Sequence, residues 1–186
     1  MALTATVHRF QIDLSDVDRG VYEALDLRVA RHPSESVPFL LTRLLAYALS
    51  YEEGLAFSKG LSTADEPAIW KKDPGGRILL WIDVGNPAAE RLHKASKAAD
   101  RVVVFTHHDP RLLQREARTR AIHDVENIEV YAVAPAFLAE IEPHLDRHTK
   151  LALVRTGEQL YVTAGEQSIE GTLTRCSLVT PAEPTE

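Results

Sequence analysis

The run from Ile78 to Val84 is the part of the sequence that most restricts the fold, because it is apolar at almost every position. An extended chain places alternate side chains on opposite faces, so this run is apolar on both faces. Strands of that kind lie inside a sheet that is covered on each side. Pro67 to Lys72 precedes the run across the turn-forming tetrapeptide Asp73-Pro74-Gly75-Gly76, which predicts that the two segments pair as a hairpin.

The segment after this strand alternates between helical and extended patterns. Gly85-Asn86-Pro87 ends the strand and starts a helix, with Asn86 as the cap and Pro87 at the first helical position. The elements expected next are helix 88–99, strand 101–106, helix 110–123, strand 128–134 and helix 135–145. Such alternation predicts right-handed crossovers and a partly parallel sheet.

The first thirty residues predict a β-hairpin. Its first strand reaches Leu14 and contains a bulge near His8 and Arg9, where the apolar alternation changes phase. Its second strand runs from Tyr22 to Val29.

A buried helix is predicted over Phe39 to Leu49, which is apolar on most faces, and it continues to about Gly54 or Gly60. Ser34 or Ser36 caps its start.

The C-terminal part returns to strands between Leu151 and Val179, with turns at 156–159 and 164–165. The sequence therefore predicts a single α/β domain over residues 1–186, with a mixed sheet, flanking helices and extra hairpins at both ends. Residues 181–186 are expected to form a flexible tail.

The composition is that of a globular protein, with 45% hydrophobic and 26% charged residues. Cys176 is the single cysteine, which excludes a disulfide framework and a zinc site built from thiolates. No signal peptide and no apolar run near the roughly 20 residues of a membrane span can be recognised. We therefore expect a soluble, cytoplasmic protein.

A carboxylate in the apolar run, Asp83, needs compensation, because burying an unpaired charge costs several kcal/mol. The predicted hairpin register sets Glu66 opposite Asp83 and Asp65 beside it, and an error of two residues would still leave all three at one end. Clustered carboxylates call for a divalent cation or a raised pKa. Alternatively, Asp83 caps the next helix or pairs with an arginine, and Asp65-Glu66-Pro67 is a polar loop.

Several separated motifs resemble the YaeQ family of small bacterial proteins. They are Met1-Ala2-Leu3, Ala30-Arg31-His32-Pro33-Ser34-Glu35, Gly60-Leu61-Ser62, Asp65-Glu66-Pro67 with Trp70, Leu80-Trp81-Ile82-Asp83-Val84-Gly85, and Arg91 with Lys94-Ala95. The resemblance covers nearly the whole chain. It implies a variant of the PD-(D/E)XK fold, the fold of restriction endonucleases.

The nuclease superfamily has an acid before a hairpin, a second acid on the second arm and a lysine two residues later. Asp65 or Glu66 can take the first place and Asp83 the second, whereas Gly85 stands where the lysine belongs. Some members carry that lysine on the following helix, which makes Lys94 the candidate replacement. Helical spacing places Arg91 and Lys94 on the same flank of a buried stripe formed by Ala88, Leu92, Ala95 and Ala99, while Lys97 points away.

The resemblance implies a metal-dependent phosphodiester hydrolase. Asp83 and either Asp65 or Glu66 would hold Mg²⁺ or Mn²⁺ together with the carbonyl of Val84 and waters, and Lys94 would orient or deprotonate the attacking water. The alternative is a catalytically degenerate scaffold that binds a protein or a nucleic acid. A dinucleotide-binding enzyme is a weak third, because residues 84–87 lack a glycine-rich turn.

Glu35, His107 and His108 are further candidates. Glu35 either adds a carboxylate to the site or simply favours the first turn of a helix. The two histidines follow the strand next to the one that bears Asp83, where phosphate or metal contacts are expected. Asp109, which comes next, is instead typical of a helix cap.

The net charge of −6 argues against binding nucleic acid over the whole surface. Local binding would need clustered cations, and the basic residues gather in two groups. They are Arg91, Lys94, Lys97 and Arg101, and then Arg111, Arg115, Arg118 and Arg120. They form either one phosphate-facing edge or ordinary solvated helix faces.

Overall fold

Ten strands form one mixed sheet in the computed structural model, which describes residues 4–59 and 65–179. The strands are β1 (Thr6–Asp16), β2 (Val21–Arg31), β3 (Leu55–Phe57), β4 (Ile69–Lys72), β5 (Ile78–Val84), β6 (Ala99–Thr106), β7 (Glu129–Val133), β8 (His148–Thr156), β9 (Gln159–Ala164) and β10 (Gln167–Cys176). The α-helices are α1 (Val37–Leu49), α2 (Ala89–Ala98), α3 (Pro110–Ala117) and α4 (Pro135–Ile141). Short 3₁₀ turns follow at Val125–Asn127 and Glu142–His144.

The strand order is β2-β1-β8-β9-β10-β7-β6-β5-β4-β3. Three pairs are parallel, namely β1 with β8, β5 with β6 and β6 with β7, while the others are antiparallel. The prediction of a partly parallel sheet is therefore confirmed.

The central strand β5 is covered on both faces, as its sequence predicts. Leu80 and Ile82 pack into a core that α1 and α4 share with one face of the sheet. Trp81 points to the other face and packs with Leu92 of α2 and Leu113 of α3. Asp83 follows Trp81 by two residues, so the alternation of the strand places it on the α2 face.

The N-terminal hairpin is confirmed, but the bulge predicted near His8 and Arg9 is wrong. The β1–β2 pairing runs without a shift from Thr6 opposite Arg31 to Asp16 opposite Val21. The apparent change of phase arises because Val7 is an exposed apolar residue rather than a core residue.

Helix α1 is buried along most of its length, as predicted. Its cap is Ser36, whose hydroxyl oxygen accepts a hydrogen bond from the Phe39 N–H at 3.2 Å. The helix ends at Leu49, earlier than the predicted Gly54 or Gly60, because the chain turns there to form β3. The Tyr47 hydroxyl fastens this return by donating to the Leu55 carbonyl at 3.0 Å.

The β4–β5 hairpin is confirmed, but its register differs by two residues from the prediction. Ile69 lies opposite Ile82, so Ala68 rather than Glu66 is level with Asp83. One residue of the difference comes from the turn, which closes between Asp73 and Arg77 with a hydrogen bond of 3.0 Å. The second comes from an irregularity at Lys71/Lys72.

Helix α2 starts later than the sequence suggests, and Asn86 is not its cap. Ala88 takes the cap position without a side-chain hydrogen bond, and the Glu116 carboxylate of α3 accepts from the Ala89 N–H at 2.9 Å instead. The buried stripe accordingly consists of Ala89, Leu92 and Ala95.

Helices α3 and α4 end earlier than their predicted limits of 123 and 145. Polar residues follow α3, and α4 passes into a 3₁₀ turn that contains Pro143.

The C-terminal strands β8, β9 and β10 form the two predicted hairpins. The tail expected at 181–186 lies outside the described residues. In the described ranges, the helices are too short or too polar to cross a membrane.

Candidate functional site

Asp83 is buried at the end of β5, with 2% of its surface exposed. Both of its carboxylate oxygens accept hydrogen bonds from Arg91 of α2, one from Nε and one from Nη2, each at 2.8 Å. The same Nη2 donates to the Glu66 carbonyl at 2.6 Å. Asp83 is therefore compensated by an arginine, which was the alternative left open by the sequence.

Arg91 connects three parts of the site. Besides Asp83 and the Glu66 carbonyl, its guanidinium carbon lies 5.7 Å from the centroid of the Trp81 ring. An arginine over an aromatic face adds an attraction of about 0.5–1 kcal/mol at a partly exposed position. The contacts fix the segment before β4 against α2.

Lys94 and Asp65 form a second ion pair at the same end of the hairpin. The Lys94 Nζ donates to Asp65 Oδ1, and this hydrogen bond is the main cause that holds the pKa of the Asp65 carboxyl below its usual range. Both side chains are largely exposed. The structure thus brings Arg91 and Lys94 to the end of the hairpin where Asp65 and Asp83 lie, as the spacing along the helix predicts.

The three carboxylates of Asp65, Glu66 and Asp83 are not arranged to bind a divalent cation. Each Asp83 oxygen already accepts from Arg91, the Asp65 carboxylate accepts from Lys94, and the Glu66 carboxylate faces the Lys59 N–H at 3.4 Å. Across residues 4–59 and 65–179, no three His, Cys, Asp or Glu side chains are grouped to hold a metal ion. The predicted set of Asp65, Glu66 and Asp83 is therefore not a preformed metal site.

The backbone conformation explains why a glycine stands at position 85, where the nuclease pattern has a lysine. Its φ of +94° lies in the region that side chains rarely adopt, and a Cβ there would stand 3.4 Å from the Phe39 ring. Because Phe39 belongs to α1, a longer side chain at this position would point to the face opposite Asp83.

His107 lies on the α1 face and is therefore not assembled with Asp83. The Thr42 hydroxyl donates to the Pro38 carbonyl at 2.7 Å, so its oxygen accepts from His107 Nδ1 at 3.1 Å. Burial, aided by the neighbouring His108, lowers the pKa of His107 to about 4. His107 is consequently a neutral imidazole at physiological pH, with the lone pair on Nε2.

His108 is exposed and its ring centroid lies 4.1 Å from that of His107. Asp109, in contrast, caps α3 as predicted, because its carboxylate accepts from the Arg111 N–H at 2.9 Å.

Glu35 is not a first-turn residue, so that prediction is wrong, and its carboxylate pairs with Arg43. It precedes the cap of α1 and is buried in an ion pair with Arg43, at 2.9 and 3.0 Å. The pair also anchors the loop between β2 and α1, since Arg43 donates to the Ala30 carbonyl at 2.8 Å. Burial raises the pKa of the Glu35 carboxyl and lowers that of the Arg43 guanidinium, and their mutual attraction opposes both shifts.

Part of the predicted basic edge gathers on the other flank of α2. His93 Nδ1 accepts from the His123 N–H at 3.2 Å, and Lys97 and Arg120 lie near enough to act on the same imidazole. Partial desolvation and then these two cations lower the pKa of His93. We call His93, Lys97, Arg120 and His123 the basic cluster.

The basic cluster could not be read from the sequence as one unit, because His93 and His123 are 30 residues apart. The helical spacing of His93 and Lys97 was the only local signal. Arg101 does not belong to it, since its guanidinium forms an ion pair with Glu129.

Comparisons with known proteins agree along nearly the whole chain. The family model described as YaeQ protein matches residues 1–173. Proteins named "Uncharacterized protein YaeQ" from Escherichia coli (strain K12) and Shigella flexneri are each 29% identical over 176 residues, which are 94% of this chain and 97% of theirs.

Two solved structures are also similar. The crystal structure of YaeQ protein from Pseudomonas syringae has a TM-score of 0.85 and 35% identity, over 93% of this chain and 96% of that one. The crystal structure of YaeQ protein from Xanthomonas axonopodis pv. citri has a TM-score of 0.86 and 30% identity, over 94% and 99%. This chain belongs to the YaeQ family.

Proposed function

We propose that this chain is a binding module built on a nuclease-like core and that its ligand is a nucleic acid strand. The observation that carries the proposal is the bidentate ion pair of Asp83 with Arg91. A carboxylate whose two oxygens are both engaged by an arginine is not available to a metal ion, and the strand lysine is replaced by Gly85. The hydrolase implied by the resemblance therefore lacks two of its parts, a free carboxylate at Asp83 and the strand lysine.

The order of elements supports a nuclease-like core. Helix α1 is followed by the antiparallel strands β3, β4 and β5, and then α2 leads to β6, which is parallel to β5. A helix, a hairpin and a βαβ crossover in this order are what the resemblance implies. In such a core, Asp65 and Asp83 would take the places of its two acids.

The charge distribution supports a phosphate-bearing ligand. Residues 89–126 contain eight Lys and Arg against six Asp and Glu, so this segment is net positive in a chain of net charge −6. Within the part of the chain that the structure describes, Lys97 and Arg120 form no ion pair. Such cations contact phosphates and release bound counterions, which drives binding without sequence preference.

Fluorescence anisotropy with labelled single-stranded DNA, duplex DNA and RNA tests this proposal. The double variant Lys97→Ala/Arg120→Ala should weaken binding and reduce the slope of log K against log salt by about 0.7–0.9 per lost phosphate contact. The matched control is Lys150→Ala, an exposed lysine on β8 outside the cluster. Absence of binding at low salt, or equal losses in the control, would exclude the proposed ligand.

A second candidate, a Mg²⁺- or Mn²⁺-dependent phosphodiester hydrolase, is favoured by the contact of Lys94 with Asp65. This contact places a helix-borne cation beside the first acid. The metal would have to displace Arg91 from Asp83. Calorimetric titration of Mn²⁺ into the protein and into Asp83→Asn separates the candidates, because the hydrolase requires Mn²⁺ binding that the variant abolishes.

A further inference from the structure

The strand β2 forms one edge of the sheet and is unusually open for an edge. Its 11 residues pair with β1 on one side, and no other described strand pairs with the second side. It contains no proline, and its register has no bulge. Long edges without such devices expose unpaired N–H and C=O groups that accept another strand, and on β2 this holds up to Ala30, whose carbonyl already accepts from Arg43 at 2.8 Å.

The sequence of β2 is complementary to itself when read in the opposite direction. An antiparallel copy related by a two-fold axis at Leu27 sets Asp26 opposite Arg28, Glu23 opposite Arg31, Leu25 opposite Val29 and Ala24 opposite Ala30. Each pair occurs twice, because the axis relates two identical chains. Opposite charges and apolar residues facing one another are the stabilising pairs of an antiparallel sheet.

Neighbouring registers lack this complementarity. An axis at Asp26 would set that carboxylate against its own copy, and an axis at Arg28 would set two arginines against each other and Leu25 against Arg31. Like charges directly opposite are destabilising, so the register centred on Leu27 is selected.

The two faces of β2 agree with the same register. Leu25, Leu27 and Val29 are buried toward the core, so their pairing would extend the apolar layer across the axis. Asp26 and Arg28 point to the outer face, where Asp26 already forms an ion pair with Arg9 of β1. A facing Arg28 from the second copy would give Asp26 a further cationic neighbour on this face.

We propose that β2 is a dimer interface, at which two copies of this chain pair their β2 strands antiparallel about an axis at Leu27 and join their sheets. Main-chain hydrogen bonds provide the affinity, and the charge pairs fix the register. The proposal is independent of the ligand proposed above.

Sedimentation equilibrium across the micromolar range tests the oligomeric state. We expect the native chain to dimerise and Arg28→Glu to raise the dissociation constant at least tenfold, because the introduced carboxylate would face Asp26 of the second copy, and this repulsion would occur twice. Lys150→Glu changes the charge equally on β8 and should leave the constant unchanged. A native chain that stays at its monomer mass of 20.7 kDa throughout would overturn the proposal.

Cysteine cross-linking tests the register without relying on stability. Opposite residues of paired strands have Cα atoms about 4.5–5.5 Å apart, within the range of a disulfide. In a Cys176→Ser background, Ala24→Cys and Ala30→Cys chains should cross-link when mixed and on oxidation, but not when either is alone. Efficient cross-linking of either variant with itself, or none in the mixture, would contradict this register.

Discussion

Arg91 binds both carboxylate oxygens of Asp83 across the contact between α2 and β5, with two N···O distances of 2.8 Å. The carboxylate is buried, whereas the arginine keeps part of its side chain in solvent. The pair therefore stabilises the fold chiefly by keeping a buried charge from being unpaired.

Asp83→Asn should destabilise the protein by about 1–3 kcal/mol, because Arg91 would lose its charged partner and part of its hydrogen bonding. Urea unfolding followed by circular dichroism measures the change. Asp65→Asn is the matched control, since its ion pair with Lys94 is exposed and its loss should cost less than that of the buried pair. A more stable Asp83→Asn, together with Mn²⁺ stabilisation of the native chain alone, would instead favour the hydrolase.

Lys94→Ala and Lys97→Ala should differ in their effect on nucleic acid binding. Lys97 stands in the basic cluster without an ion pair within the described ranges, whereas Lys94 is neutralised by Asp65. We therefore expect the larger loss of affinity for Lys97→Ala, and no cleavage by the native chain with Mg²⁺ or Mn²⁺. If cleavage is observed and Lys94→Ala lowers turnover by about 100-fold or more, Lys94 is an acid–base group and the module proposal fails.

His107 should make the protein less stable as the pH falls from about 6.5 toward 4. Its pKa in the fold is about 4, below the ordinary value of 6.5, so the unfolded chain takes up the proton first. The free energy of unfolding then decreases through this interval and the effect levels off below it. Comparing the native chain with His107→Gln isolates the contribution, because acidic groups common to both chains cancel.

A smaller pH slope in His107→Gln is the expected result. Identical slopes in the two chains would show that the imidazole titrates normally and that its burial does not hold it neutral.

Gly171→Ala should destabilise the contact between β10 and α4. A Cβ on Gly171 would stand 2.3 Å from the Phe137 ring, which is buried. Overpacking of this kind typically costs about 1–3 kcal/mol. The double variant Gly171→Ala/Phe137→Leu should recover part of the loss in thermal unfolding, and failure to recover would place the strain elsewhere.

Local sequence patterns were enough to predict the secondary-structure elements that surround the site. The apolar run of β5, the turn before it and the helix after it follow from alternation and turn residues. The exact register did not, because the closure between Asp73 and Arg77 and the irregularity at Lys71/Lys72 have no distinct sequence signal.

Local sequence patterns also could not predict which side chains pair with one another between elements. The sequence offered an arginine as one of several partners for Asp83, but it could not select Arg91 before the start of α2 was known. Glu35 was misread because its partner, Arg43, lies two turns along a helix whose first residue was uncertain by several positions. Such choices depend on tertiary packing, which acts between elements rather than within them.

The parallel pairing of β1 with β8 delays completion of the sheet during synthesis. His8 contacts the carbonyl of Asp146 across 138 positions of sequence. The N-terminal hairpin leaves the ribosome long before its neighbour exists, with one edge of β1 unsatisfied. Contacts of such long range fold slowly, and exposed edges in nascent chains aggregate. The second edge of β1 therefore stays without its strand partner until translation has passed β8.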